Sequence, residues 1–301
     1  MHFLSSEYPH IPRKEAQFHI IPVPFEDSVS YGGGTAHGPE AILAASQQLE
    51  AWDGYDCPGD RGIHTCPTVD CAGPVEDVFE RISAAVAETT RTQLASGTAA
   101  IPVMIGGEHA ITAAAWEGVC RTTDELPGIV QIDAHADLRD RYEGNPYSHA
   151  SVMHRIHSAC HPTIFQIGVR ALCREEVNYR NQFCRPGAGS IHWRDAADLV
   201  PPGNDPITLP DELPDTVYLT VDVDGLDPSV CPATGTPVPG GLSWYQTLAC
   251  ITHVCQHRRV IACDIVEHAP VAGWHGPDYT TAELVYRIMG IIGRYPGPGR
   301  G

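Results

Sequence analysis

The chain has 301 residues, of which 43% are hydrophobic and 19% charged, and its formal net charge is −18 at pH 7. This composition is that of a globular protein, and the negative charge disfavours nucleic-acid binding because phosphates would be repelled. The same charge would attract a small cationic ligand. No apolar run approaches the roughly 20 residues that cross a bilayer, and the first residues lack a signal-peptide pattern. We therefore expect a cytoplasmic protein that binds neither nucleic acid nor a membrane.

Short apolar runs alternate with helical patterns along the chain. The predicted strands are 18–23, 101–105, 128–132, 163–167, 217–221 and 260–266. The predicted helices begin near 38, span 76–94, 151–159 and 243–257, and run from 278 or 280 to about 292. This alternation is typical of a three-layer α/β/α fold with a mostly parallel central sheet.

Residues 1–301 are predicted to form a single domain, because no linker separates two parts of the chain. The Pro-rich segment 201–206 is interpreted as a loop of ordinary length. Ser243 is the expected N-cap of the helix that follows it.

The eleven cysteines are scattered, which indicates reduced and mostly buried thiols. Cys57, His64, Cys66 and Cys71 form the only local group that suggests a zinc site. Their spacing does not match a C-x2-C pattern, and the segment is rich in Pro and Gly, so a surface loop is the preferred interpretation.

Potential metal ligands follow two of the predicted strands. Asp133, His135 and Asp137 occur at a spacing of two, as do Asp222 and Asp224. In an extended strand, such residues point to the same side, so each run would converge on one region. Four carboxylates packed so closely would repel one another unless cations held them together. The pattern therefore predicts a metal centre, and one for two ions.

His109 follows the predicted strand 101–105 and completes a set of six candidate ligands, and Glu267 follows the last strand. In parallel sheets, ligands bind at the carboxyl ends of the strands, where all these residues are expected. An aspartate after a strand is, by itself, more often a turn former or helix cap. Two imidazoles and four carboxylates suit hard divalent ions such as Mn²⁺, which activate water for hydrolysis at carbon or phosphorus.

Three ordered motifs resemble the signatures of the ureohydrolases, the arginase and agmatinase family. They are Gly106-Gly107-Glu108-His109, Asp133-Ala134-His135-Ala136-Asp137 and Asp222-Val223-Asp224-Gly225-Leu226-Asp227-Pro228. Segment 235–242 is similar to the family's sequence after the last motif. The resemblance runs from about Ile20 to the closing helix. It implies the arginase/deacetylase-like fold and an enzyme that releases urea from a guanidino compound, in a homo-oligomer (a trimer or hexamer).

The resemblance also implies two Mn²⁺ ions per subunit and a ligand set for each. One ion would be held by His109, Asp133, Asp137 and Asp222. The other would be held by Asp133, His135, Asp222 and Asp224. Asp133 and Asp222 would bridge the two ions.

Three residues would have catalytic roles by the same resemblance. Asp137 would orient the attacking hydroxide and pass its proton to the departing amine. His149 would be the shuttle histidine near the mouth of the site, and Glu267 would bind the guanidinium, although His268-Ala269 departs from the usual motif. The plainer alternatives are a surface histidine and a glutamate that pairs with a buried arginine.

The segment Arg139–Ser148 bears on the substrate. It lacks the Ser-Gly-Asn-Leu-His-Gly sequence typical of arginases and is more similar to agmatinases. Agmatine is a dication, and Asp140 or Glu143 could bind the amine at its far end. Hydrolysis of agmatine would give putrescine for polyamine biosynthesis. Arg139 and Arg141 could instead receive a carboxylate, which would favour guanidinobutyrate or a similar acid.

Three other functions are alternatives to agmatinase. An arginase-type ureohydrolase would act on another guanidino compound. A metal-dependent deacetylase of related fold commonly uses one zinc and a different ligand sequence, whereas all six positions of a two-ion centre are filled here. A non-catalytic member would be expected to lack a ligand or Glu267, and none is missing from the sequence.

Overall fold

The computed structural model describes residues 1–95, 97–187, 189–200 and 207–297. Its strands are β1 (Phe18–Val23), β2 (Ile63–Thr65), β3 (Ile101–Gly106), β4 (Gly128–Ile132), β5 (Ile164–Ile167), β6 (Ile191–Arg194), β7 (Thr216–Asp222) and β8 (Arg259–Val266). They form one eight-stranded sheet in the order β2-β1-β3-β8-β7-β4-β5-β6. Every neighbouring pair is parallel, so all the carboxyl ends lie at the same edge.

Helices cover both faces of this sheet. They are α1 (Gly38–Ala45), α2 (Val75–Thr90), α3 (Ile111–Cys120), α4 (Val152–Cys160), α5 (Arg174–Phe183), α6 (Ala196–Leu199), α7 (Trp244–His257) and α8 (Gly276–Arg294). One apolar layer contains buried side chains of α1, α7 and α8, and the other contains those of α2, α3 and α4. The predicted α/β/α fold is confirmed.

Neighbouring residues of a strand supply opposite layers, because side chains alternate across a sheet. Val103 and Ile105 of β3 pack in the layer with α8, whereas Met104 packs in the layer with α2. All six residues of β1 are buried. This is the pattern of a parallel sheet covered on both faces, and it explains why the strands read as continuous apolar runs.

The six predicted strands and the five predicted helices are all present, with shifted ends. The largest shift is in α2, which ends at Thr90 rather than at 94. Ser243 caps α7 as expected: its Oγ accepts the Gln246 N–H at 3.3 Å, and the Gln246 side chain accepts the Ser243 N–H at 2.9 Å. The predicted loop 201–206 lies outside the described residues.

Two smaller predictions need correction. The eleven cysteines are free thiols, but only Cys231, Cys250, Cys255 and Cys263 are buried. The 57–71 segment is not only a loop, because His64 lies in β2, where its Nδ1 is 2.8 Å from the Ile11 carbonyl. No helix in the described part of the chain is long and apolar enough to cross a membrane.

Candidate metal centre

The four central strands of the sheet each deliver a candidate residue to the same edge. His109 follows β3, Asp133 follows β4, Asp222 is the last residue of β7, and Glu267 follows β8. These strands are consecutive neighbours in the order β3-β8-β7-β4. The sequence prediction that the candidates share one edge is therefore confirmed, and the topology explains why residues so distant in sequence meet.

The first group of ligand atoms surrounds the imidazole of His109. Its Nδ1 lies 3.1 Å from Asp133 Oδ2, 3.0 Å from Asp137 Oδ2 and 3.4 Å from Asp222 Oδ2. All four side chains are buried. One nitrogen and three carboxylate oxygens thus converge on a small volume.

The second group surrounds His135, whose Nδ1 lies 2.9 Å from Asp224 Oδ2 and 3.6 Å from Asp133 Oδ1. Asp133 therefore faces both histidines, with a different oxygen toward each. The predicted grouping by strand alternation was wrong, because β4 ends at Ile132 and the following residues turn through a loop. Asp137 consequently lies with His109 and not with His135.

Burial and charge shift the pKa values of these groups strongly. Burial and the neighbouring Asp133 raise the pKa of Asp137 to about 7. Burial, reinforced by Asp224 and Asp133, raises the pKa of Asp222 well above its usual range. Burial alone would lower the pKa of His135, but its bonds to Asp133 and Asp224 raise it to about 12. The arrangement as it stands needs positive charge among its carboxylates.

The orientation of His109 fits a bound divalent cation. Its Nε2 lies 2.9 Å from Thr220 Oγ1, whereas its buried Nδ1 has no hydrogen bond of acceptable geometry within the described residues. With the proton on Nε2 shared with Thr220, Nδ1 presents a lone pair toward three carboxylate oxygens. This donor set matches the preferences of ions such as Mn²⁺.

Backbone contacts hold the two aspartate motifs together. Asp224 Oδ1 accepts the Ala134 N–H at 3.0 Å, and Asp222 Oδ1 accepts the Asp224 N–H at 2.8 Å. A Cβ on Gly225 would lie 2.8 Å from the Asp133 backbone nitrogen. Only glycine therefore allows the chain after β7 to approach the chain after β4 so closely.

Two of the predicted functional residues have strained backbones. Asp137 and Glu267 adopt φ values of 54° and 65°, in the left-handed region that side chains other than glycine rarely occupy. The Asp137 carbonyl accepts the N–H groups of Met153 and His154 at 3.0 and 3.1 Å, so the start of α4 fixes this conformation. Such strain is often found at functional sites, where surrounding structure maintains it.

Glu267 lies directly against the centre. Its Oε1 accepts the backbone N–H of His109 at 2.6 Å, and only 7% of the residue is exposed. Burial, with the nearby Glu108, raises its pKa well above the usual range. A guanidinium would supply the missing positive charge, but the substrate role of Glu267 stays a prediction.

A cavity of about 450 Å³ lies beside the centre, and His135, Asp137, Arg139, Tyr142 and His149 are among its lining residues. The structure thus brings His149 to the same space as two candidate ligands. Burial, with the charges of the two other histidines, lowers the pKa of His149 to about 4, so its ring is neutral near pH 7.

The other polar residues of the loop after Asp137 lie outside this cavity. Arg141 pairs with Asp140 at 3.0 Å and both are exposed, while Glu143 is exposed and has a φ of 50°. Of the four charged residues Arg139, Asp140, Arg141 and Glu143, all within the described part of the chain, only Arg139 lines the cavity. A role for Glu143 or Asp140 in receiving the far amine is not supported by this arrangement.

The sequence analysis missed two residues beside His149. Ser28 Oγ lies 3.1 Å from His149 Nδ1 and donates to Glu108 Oε1 at 2.7 Å. Nothing in the local sequence of the loop after β1 indicates this contact, which joins residues 121 positions apart. Glu108 had a weak signal, because it is a charged residue next to His109 in a glycine-rich motif.

Comparisons with known proteins cover nearly the whole chain. The family model described as "Arginase family" matches residues 16–291. The N(1)-aminopropylagmatine ureohydrolase of Synechocystis sp. is 38% identical, covering 91% of this chain and 88% of that protein. The agmatinase of Pyrococcus horikoshii is 32% identical, covering 96% of each. The crystal structure of the agmatine ureohydrolase of Thermoplasma volcanium has a TM-score of 0.78 at 26% identity, covering 98% of this chain and 95% of that one.

Proposed function

Because the chain belongs to the arginase family and is a ureohydrolase, we propose that it uses two Mn²⁺ ions to release urea from a linear guanidino amine of the agmatine type. The observation that carries this proposal is the convergence of two histidines and four aspartates on two groups that share Asp133. Bound ions of this kind lower the pKa of a water molecule and so supply a nucleophile near neutral pH.

The proposed ligand sets follow the two groups in the structure. His109, Asp133, Asp137 and Asp222 would hold one ion. Asp133, His135, Asp222 and Asp224 would hold the other. The two oxygens of Asp133, one toward each histidine, support its role as a bridge. For Asp222, the 3.4 Å approach to His109 supports the first set, and its bond to the Asp224 N–H supports the second.

Three side chains would act on the substrate and its protons. Asp137 borders both the centre and the cavity, so its carboxylate can take a proton and give it to the departing amine. His149, which is neutral and lines the same cavity, can exchange that proton with solvent. The Glu267 carboxylate can pair with the planar guanidinium through two parallel hydrogen bonds.

Two guanidino amines are candidate substrates. Agmatine fits the motif resemblance and the agmatinase of Pyrococcus horikoshii, and its hydrolysis gives putrescine. N(1)-aminopropylagmatine is favoured by the 38% identity to the Synechocystis protein that bears its name, and its hydrolysis gives spermidine. Both substrates are polycations, which suits a chain with a net charge of −18. Either activity would place the enzyme in polyamine biosynthesis.

We further propose that residues 1–301 form one catalytic domain and that the protein is a cytoplasmic homo-oligomer. A trimer or a hexamer is expected. Size-exclusion chromatography with light scattering measures this directly, and a monomeric protein that is fully active would contradict it.

The test of the proposed function is urea release by metal-free and Mn²⁺-loaded protein. Agmatine, N(1)-aminopropylagmatine, arginine, guanidinobutyrate and guanidinopropionate are assayed in parallel. We expect activity only in the loaded protein and the highest kcat/KM with one of the two amines. Faster turnover of an acid would keep the family reaction but reject the amine substrate. Absence of urea from every compound would reject the proposed function.

A further inference from the structure

A hydrogen-bonded chain links His149 to a buried carboxylate in the loop that carries His109. The Ser28 hydroxyl donates to Glu108 Oε1 at 2.7 Å, and its oxygen lies 3.1 Å from His149 Nδ1. The same oxygen accepts the His149 backbone N–H at 3.0 Å. His149 thus contacts the Ser28 hydroxyl twice, through its ring Nδ1 and through its backbone N–H.

The number of hydrogens at Ser28 sets the direction of this chain. A serine hydroxyl has one hydrogen and two lone pairs. The hydrogen is used on Glu108, so both lone pairs are left to accept hydrogen bonds. One accepts the His149 backbone N–H, and the other can only accept from a proton on Nδ1. Within the described part of the chain, His149 Nε2 has no hydrogen bond.

Glu108 is itself held firmly in the acceptor role. It is fully buried, and its Oε2 accepts the backbone N–H groups of Asp27 and Ser28 at 2.8 and 2.7 Å. Backbone N–H groups can only donate, so Oε2 accepts both of these bonds, and Oε1 faces the Ser28 hydroxyl. Glu108 also precedes His109 directly in the chain, which ties the position of His149 to the metal centre.

We propose that Ser28 and Glu108 are positioning residues that fix His149 in the tautomer with its proton on Nδ1. Nε2 then presents its lone pair to the cavity that His149 shares with Asp137. A proton shuttle needs such a lone pair facing the reacting groups, because the opposite tautomer would present an N–H that cannot accept a proton. This inference rests on the proposed function for the role of His149, but not for its tautomer.

The tautomer can be measured in the wild-type protein itself. Protein with ¹⁵N-labelled histidine is studied by NMR at pH 8, and the His149→Asn variant assigns the two ring nitrogens by their loss. We expect the proton on Nδ1 and an unprotonated Nε2. A proton on Nε2 would overturn the proposal, since the chain would then run in the opposite direction, from Glu108 through Ser28 to the imidazole.

Kinetics of Ser28→Ala test whether the chain matters for turnover. We expect kcat to fall about tenfold, a small part of what an acid–base group contributes, while KM for the amine changes less than about twofold. Ser28→Thr keeps the hydroxyl and should recover most of the lost kcat. Ser158→Ala removes an exposed serine from α4, the helix after His149, and serves as the control that should behave as wild type.

The outcomes separate this proposal from the proposed function. A wild-type protein that releases no urea but has its proton on His149 Nδ1 would reject the function and keep the positioning role. An active Ser28→Ala protein with unchanged kcat and an unchanged His149 tautomer would reject the positioning role alone. If Ser28→Ala does not fold, as judged by circular dichroism, Ser28→Gly and the wild-type NMR measurement decide the question.

Discussion

The metal centre and the cavity mouth lie next to each other but are built in opposite ways. At the centre, five of the six candidate ligands are buried and their backbones are packed against one another. The mouth is the part of the loop after Asp137 in which Arg139 and Tyr142 line the cavity, with the Arg139 guanidinium carbon 5.0 Å from the centre of the Tyr142 ring. Beside it, Arg141 and Asp140 are exposed and pair with each other. We infer that the centre sets the reaction and the mouth sets the substrate, so changes in the two regions should affect different kinetic constants.

The largest effect is expected from Asp222→Asn or Asp133→Asn at the centre. Each substitution removes an anionic ligand that we propose to be shared by both ions. Substituting a residue that only orients a metal ligand commonly lowers metal affinity or activity 10- to 100-fold. For a ligand itself, we therefore expect kcat to fall more than about 100-fold, together with loss of bound metal. Urea release and metal content by elemental analysis are the measurements.

Asp140→Asn is the matched control, because it makes the same chemical change in an exposed residue beside the mouth. Its metal content should equal that of the wild type. Retention of both turnover and metal by Asp133→Asn or Asp222→Asn would contradict the bridging assignment and the contrast between the two regions.

An intermediate effect is expected from Gly225→Ala. The new methyl group would lie 2.8 Å from the Asp133 backbone nitrogen, which cannot move without displacing a ligand. We expect about 10- to 100-fold weaker metal binding, as for changes to groups that orient ligands, and about 1–3 kcal/mol lower stability from overpacking. Titration with Mn²⁺ and urea denaturation measure the two quantities.

Gly276→Ala is the control for this glycine, because its new methyl group would only touch Trp274 Nε1 at 3.6 Å. Wild-type metal affinity in Gly225→Ala would show that the two aspartate motifs can separate without cost. The close contact between the chain after β7 and the chain after β4 would then not be needed to hold the ligands in place.

A smaller effect, confined to KM, is expected from Arg139→Gln at the mouth. Arg139 lines the cavity, where its charge repels a polycationic substrate and attracts an acidic one. Removing the charge should lower KM for agmatine and raise it for guanidinobutyrate, each by roughly fivefold, since partly screened charges interact by about 1 kcal/mol. Metal content should stay the same.

Arg141→Gln is the control, since Arg141 is exposed and paired with Asp140. Its KM values should remain close to those of the wild type. A large change in kcat or in metal content for Arg139→Gln would mean that the mouth also supports the centre, and the division between reaction and substrate would fail.

The sequence predicted most of the fold because six strands are apolar runs and three motifs mark the ends of three of these strands. The edge strands β2 and β6 were missed, since they are short and contain polar residues such as His64 and His192. Helix α3 was missed because its residues are almost all buried, so it has no polar face and hence no helical period. Helix α5 was missed for the opposite reason, because few of its residues are apolar.

At the site, the motif resemblance predicted the two groups of residues that the structure brings together, whereas strand alternation by itself did not. Strand alternation placed Asp137 with His135, whereas the loop after Ile132 turns it toward His109. The contact between Ser28 and His149 depends on the path of two loops across the carboxyl edge of the sheet. Loop paths follow from tertiary packing, and no local pattern specifies them.

The smallest effect, on folding stability, is expected at Asp264, a buried carboxyl on β8 that is not one of the candidate metal ligands. Its Oδ2 accepts the hydroxyls of Thr112 and Tyr218 at 2.8 and 2.6 Å, and burial raises its pKa above the usual value. The unfolded chain therefore releases this proton at a lower pH than the folded protein does, so folding stability falls as the pH rises from about 4 toward the folded pKa.

Asp264→Asn keeps an acceptor for both hydroxyls but has no proton to lose. Its free energy of unfolding, measured by urea denaturation from pH 4 to pH 8, should increase relative to wild type as the pH rises, whereas exposed Asp140→Asn should show no such trend. If the free energy of unfolding of Asp264→Asn instead decreased relative to wild type as the pH rises, Asp264 would be ionised and stabilised in the folded protein. Buried carboxylates in this protein would then not need the cations proposed for the centre.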